Sequence, residues 1–215
     1  MRVAFPLVGL GVVVAVGVSA CGGSGYQFVA NEDLGVYAKL PDGWTIYDEA
    51  DLFPDDTDQQ LERRRASMWV RMFDASDDPT AEDPLLPGKG DPRGVVQAVR
   101  LTPEQREQVN LTSLRGLLDP TGDPVAIARQ TPAIEVIVDE PSEFDGGYHG
   151  AHTVFAVTPE PGADPVLYDR TVLLDSTSTT MFLFQVACEE ECFLDTHRDE
   201  IAEIVDSWTI QEGDT

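Results

Sequence analysis

Lysine is almost missing from this chain of 215 residues: Lys39 and Lys89 stand alone, and arginine supplies the rest of the 14 basic groups. Against them stand 39 acidic residues, for a formal charge of −25. So negative a chain is excluded from binding nucleic acid and from lying flat on anionic lipid. The charge fits solubility in a crowded envelope, with a specific basic partner as the sharper reading. Plentiful arginine, alanine, glycine and valine beside so little lysine suggest a GC-rich genome, which fits an actinobacterium better than a plant or animal. Histidine and cysteine are scarce, at three each. The hydrolase signatures G-x-S-x-G, S-x-x-K and H-E-x-x-H are missing, as is a glycine-rich phosphate loop leading into a helix. The sequence therefore offers no catalytic residues, no cofactor site and no metal site, and the chain is read as not an enzyme.

What is present begins with one long apolar run. Val3 to Val18 follows Arg2 without a charge and ends in Val18-Ser19-Ala20-Cys21. A short apolar run with small residues at its end reads as a cleaved secretory signal over residues 1–20. The Val-Ser-Ala-Cys ending resembles the lipobox of bacterial lipoproteins. That resemblance implies cleavage before Cys21, a diacylglyceryl thioether on its sulfur and a fatty acyl chain, such as palmitate, on its new amine. Each buried methylene contributes about 0.8 kcal/mol, so two or more chains hold a domain at a membrane. Residues 21–27 are then anchor and flexible tether, 28–211 a single domain, and 212–215 a polar tail. The location implied is the extracytoplasmic side of the cell membrane.

Within the domain, Val36 to Leu40 alternates and stops at Pro41-Asp42-Gly43, a strand followed by turn residues, with Trp44 placed to close one end of a core. Gln59 to Arg65 suits a short surface helix, and Met68 to Phe73 a strand. Residues 74–93 carry four prolines and six acidic residues and read as a long exposed loop. Val95 to Leu101 resumes strand character. Thr102, Pro103, Glu104 and Gln105 make a helix start, with a helix expected to Leu118 and a break near Asn110. Ile134-Val136-Val138, Tyr148 to Val157, Val166 to Leu174 and Thr180 to Ala187 then follow as strands with turn-rich links, which favours an antiparallel meander. The last of these is apolar on both faces and should be central. Phe193, His197, Ile201, Ile204, Val205 and Trp208 fall at helical spacing.

Three features together resemble the PsbP-like fold, shared by the PsbP extrinsic subunit of photosystem II and the Mog-type Ran-binding proteins. They are the early strand ending Leu40-Pro41-Asp42-Gly43-Trp44, the late run of antiparallel strands, and the closing helix ending Ile204-Val205-Asp206-Ser207-Trp208-Thr209-Ile210. Paired with a lipobox, the domain is also similar to the LpqN-type mycobacterial lipoproteins. The resemblance implies an α+β fold: an antiparallel β-sheet flanked by helices on its faces, an α/β/α sandwich. It implies binding or assembly roles, and no residues match the photosystem or Ran sites.

The remaining candidates are few. His149 and His152 are three apart on a strand, so they point to opposite faces and cannot share an ion unless the strand breaks at Gly150. His197 is expected on the apolar side of the last helix. The acidic stretches Asp51 to Asp58 and Asp74 to Asp83 lack an EF-hand pattern. Asn110-Leu-Thr112 matches a glycosylation sequon by chance. Trp69, Tyr148 and Tyr168 lie on candidate strands and could line a ligand or partner groove, although packing in a core accounts for them too. With Cys21 lipidated, Cys188 and Cys192 remain as a pair outside the cytoplasm and should form a disulfide. The expected function is a membrane-anchored, non-catalytic binding or assembly module for an unknown envelope protein. The alternative is a carrier of a small apolar or lipid ligand in an internal pocket.

Overall fold

The computed structural model of the chain describes residues 25–79, 90–116 and 122–211. The expected signal segment, Cys21 and the tail 212–215 lie outside the described residues. So do Leu117 and Leu118, and residues 80–89 of the acidic loop.

The domain opens with a hairpin, β1 (Tyr26–Asn31) and β2 (Val36–Pro41), joined through one 3-10 turn at Glu32–Leu34. Asn31 accepts the Leu34 N–H through its side chain, and Gly35 takes a left-handed φ of 65°. A Cβ at Gly35 would strike the Gln211 carbonyl, so the close pass of the chain's end requires glycine there. The folded part starts at Tyr26 and not at residue 28, because Tyr26 and Gln27 already pair with Pro41 and Leu40.

Next come β3 (Thr45–Tyr47), α1 (Glu49–Leu52), α2 (Asp58–Arg65) and β4 (Met68–Asp74). After the acidic loop, β5 (Arg93–Arg100) leads into α3 (Pro103–Gln108) and α4 (Leu111–Gly116). The loop is shorter at both ends than its composition suggests. Asp74, 2% exposed, belongs to β4 because Arg93 stands opposite it on β5 and meets its carboxylate at 2.9 Å. The helix expected from Pro103 onward does break beside Asn110: Val109 is extended, and the Asn110 side chain accepts from the Thr112 and Ser113 N–H groups to start α4. The sequon is thus a helix cap.

A short helix, α5 (Pro124–Ala128), precedes the strands β6 (Ile134–Phe144), β7 (Tyr148–Val157), β8 (Val166–Leu174) and β9 (Thr180–Glu189). One turn of π-type helix (Cys192–Thr196), α6 (Arg198–Ser207) and β10 (Thr209–Ile210) close the domain. Seven strands form one antiparallel sheet in the order β3-β4-β5-β9-β8-β7-β6, and β1-β2-β10 form a second. The fold class is α+β, as expected, with the meander β6 to β9 making more than half of the main sheet.

The strand β9 shows why two layers cover that sheet. Phe182, Phe184, Val186 and Cys188 face one core, closed by β1, β2, β10 and α6 through Val29, Leu40, Ile201, Ile204 and Trp208. Met181 and Leu183 face the other, where Leu101 and Leu114 pack with Val70, Val95 and Val172. Lys39, the one lysine among the described residues, ties the hairpin to α6: its Nζ lies 2.7 Å from Glu203 and 3.5 Å above the Tyr26 ring. The outer edge of the main sheet is β6, which carries Glu135, Asp139, Glu140, Pro141 and a bulge between Val136 and Val138. Charges, proline and a bulge are devices that discourage a second chain from pairing there.

Candidate functional site

The strand β3 is short, and that shortness creates the most distinctive polar site of the molecule. Its last pair with β4 is Tyr47 with Met72, so β4 runs on from Arg71 to Met68 without a neighbour on that side. A buried edge N–H must find another acceptor. Asp48 follows β3 and caps α1 by accepting the Ala50 and Asp51 N–H groups. Glu49, the first residue of α1, thereby turns its side chain onto the free edge. Its carboxylate is 1% exposed and accepts the Val70 N–H at 3.3 Å and the Arg71 guanidinium at 2.6 Å, with Arg65 Nε at 3.6 Å. Arg71 also donates to the Val70 carbonyl and lies over the Trp69 ring, 5.4 Å from its centroid.

These groups line a cavity of about 440 Å³ between the β1–β2 turn and one end of β4 and β5. Trp69 and Ala98 form its floor; Asn31, Asp33 and Leu34 form one wall, and Arg65, Arg71 and Arg100 another. Arg65 ends α2 and Arg100 ends β5, whose N–H donates to the Ser67 carbonyl at 2.8 Å. The cleft sets guanidinium groups beside a flat indole, which suits binding. It brings no nucleophile beside a base.

The three aromatics, candidates for a groove or for the core, do not meet. Trp69 is 8% exposed and sits at the cleft floor. Tyr148 packs edge-on against Phe182 at 5.6 Å in the core beneath the hairpin layer. Tyr168 stacks on Phe155 at 5.0 Å, directly across the strand pair on the opposite face of the sheet. A single groove lined by all three is therefore ruled out by the alternation of strand side chains. Cys188 and Cys192 are bridged, with Cα atoms 5.8 Å apart, at the junction of β9 and the π-type turn.

The histidines separate as strand geometry requires. His149 is exposed and its ring meets the Gly147 carbonyl. His152 reaches Asp169 with Nε2 at 2.9 Å and Glu140 with Nδ1 at 3.4 Å, so both ring nitrogens face carboxylates. Such a ring clasps β6, β7 and β8 and has no free nitrogen to serve as a base. The Asp169 hydrogen bond holds its pKa above the usual value against burial, with Glu140 adding to the rise. His197 does not face the core: its ring meets Glu200 at 2.7 Å and lies 3.9 Å from Asp91. The π-type turn offsets the helical register at Cys192–Thr196 and rolls this residue to the polar side.

For a group with a raised folded pKa, the stabilising contribution is complete below the unfolded value and is lost as pH rises through the folded value. Melting temperature should therefore fall from mildly acidic pH to above neutrality, and His152→Gln should flatten that slope. Thermal melts of both chains across this range would decide it; parallel slopes would remove His152 as the cause.

No family model matches the chain, and no curated protein does. Among solved structures, it is similar to cyanobacterial PsbP (CyanoP) from Synechocystis sp. PCC 6803 at 17% identity, with 90% of this chain and 99% of that chain covered and a TM-score of 0.49. It is also similar to the Ran-binding protein Mog1p of Saccharomyces cerevisiae at 8% identity, with 86% and 95% covered and a TM-score of 0.44.

Glu49, Arg65, Arg71 and Arg100 escaped the sequence reading. Trp69 and Arg71 stand two apart on a strand and so share a face, which was a usable signal. The role of Glu49 had none, because it depends on where β3 stops.

Proposed function

We propose that this chain is a bacterial envelope lipoprotein whose domain binds a partner without catalysing a reaction. The Val18-Ser19-Ala20-Cys21 sequence supports lipidation at Cys21 and residence on the outer face of the cytoplasmic membrane. Four residues, 22–25, then separate the lipid from β1, a contour length of about 14 Å. The observation that carries binding is the cleft beside Trp69, lined by Arg65, Arg71 and Arg100, of which Arg71 is held by the buried carboxylate of Glu49. Its lining of arginine, glutamate, aspartate and asparagine does not suit the apolar ligand that the carrier reading requires.

The test is metabolic labelling with a palmitate analogue, followed by crosslinking in intact cells. The chain should take up label and sediment with membranes, Cys21→Ser should do neither, and a discrete crosslinked partner should be recovered. Lipid co-purifying without any partner would sink the binding-module reading.

A further inference from the structure

We propose that the cleft is a receptor for an oxyanion, a carboxylate or phosphate group on a small ligand, gripped by Arg65 and Arg100. This deepens the binding-module reading and rests on it.

The charge pattern is the first argument. In a chain of formal charge −25, three arginines line one cavity against two carboxylates. Glu49 is not available to a ligand, since its buried carboxylate is engaged by Arg71 and the Val70 N–H. Asp33 is exposed on the β1–β2 turn. The groups left facing the opening are Arg65, whose Nε lies 3.6 Å from Glu49 while its side chain stays 51% exposed, and Arg100, which has no ion pair among the described residues. Two like charges sharing a concavity repel each other, and an anion between them removes the repulsion. The end of α2 is a favourable place for Arg65 because of the helix dipole. That accounts for nothing about Arg100, which ends a strand.

Direction is the second argument. Arg64, the neighbour of Arg65, is turned away to Asp56, donating through Nε at 3.0 Å and Nη2 at 2.7 Å. Arg65 alone of that pair points into the cleft. The Arg100 backbone is pinned to Ser67, another lining residue. Guanidinium groups present two parallel N–H donors that match carboxylate and phosphate oxygens. A cavity of about 440 Å³ admits a small molecule, and the Trp69 indole offers its carbon skeleton a flat apolar surface.

The experiment titrates the full chain in detergent with sodium phosphate, with citrate and with chloride at matched ionic strength. Binding is read from the NMR signals of the arginine Nε–H groups and the Trp69 indole N–H. Saturable shifts with phosphate, citrate or both, and not with chloride, are expected. Phosphate alone would identify a phosphate ligand and citrate alone a carboxylate. Arg100→Gln and Arg65→Gln should each weaken binding about tenfold or more, since each removes a charge-assisted pair. Arg106→Gln, on exposed α3, should leave it unchanged. The inference is overturned if neither anion saturates, or if Arg106→Gln weakens binding as much as Arg100→Gln. Should no anion bind while the crosslinked partner is still lost in Arg100→Gln, the oxyanion falls and the binding module stands.

Discussion

Replacing Glu49 by glutamine should destabilise the domain by about 3 kcal/mol, the cost of leaving a buried charge without its partner. The substitution changes neither shape nor length. One oxygen remains to accept the Val70 N–H, so the free edge of β4 keeps its acceptor. What disappears is the negative charge between Arg71 at 2.6 Å and Arg65 at 3.6 Å. Arg71 is only 26% exposed at its side chain, so water replaces the carboxylate poorly. The expected observation is a large drop in the urea midpoint with an unchanged m-value. A double-mutant cycle with Arg71→Gln separates the ion pair from the edge bond. A coupling of about 2 kcal/mol is expected for groups in direct contact, and a coupling near zero would show that the pair does not matter. The same variant should loosen Arg71 above Trp69 and so reshape the cleft floor.

The sequence made the sheet legible where hydrophobic alternation is strong. Tyr148–Val157 and Val166–Leu174 begin and end where their patterns do, and β9 is central because Met181 and Leu183 face one core while Phe182 and Phe184 face the other. Periodicity reports burial of apolar faces. It therefore read Ile201, Ile204 and Trp208 correctly and His197 wrongly, since one π-type turn breaks the register with no change in composition. The strand β6 extends well past Val138 through Glu140, Pro141 and Ser142, because an edge strand pairs through backbone on one side only and tolerates polar residues and proline. The site was less legible than the fold. Trp69 could be singled out as an aromatic on a strand, but its partners depend on tertiary placement. Glu49 becomes a ligand of β4 because β3 pairs with only three residues, and Arg65 and Arg100 converge from chain positions far apart.

Gly94→Ala should be strongly destabilising. Gly94 lies on β5 opposite Phe73 of β4 and Val186 of β9, on the face covered by the hairpin layer. A Cβ there would overlap the Phe73 ring on one side and the Gln185 carbonyl on the other. The carbonyl is backbone in the middle of a seven-stranded sheet and cannot withdraw, so the ring must move. Phe73 has nowhere to go: it is 1% exposed and sits 5.8 Å from Trp44 and 6.3 Å from Phe184. Phe184 in turn stacks on Trp208 at 5.4 Å, and Trp208 meets Phe144 at 5.2 Å, so the displacement runs along a row of aromatics through the core. Overpacking of this kind costs about 3 kcal/mol. Two comparisons isolate the cause. Gly43→Ala, where a Cβ meets nothing within 4 Å, should change stability by less than about 0.5 kcal/mol. Adding Phe73→Leu to Gly94→Ala should recover part of the loss, because the smaller side chain vacates the space the methyl requires. Equal urea midpoints for Gly94→Ala and the unmodified chain would mean that Phe73 does not rest on this glycine.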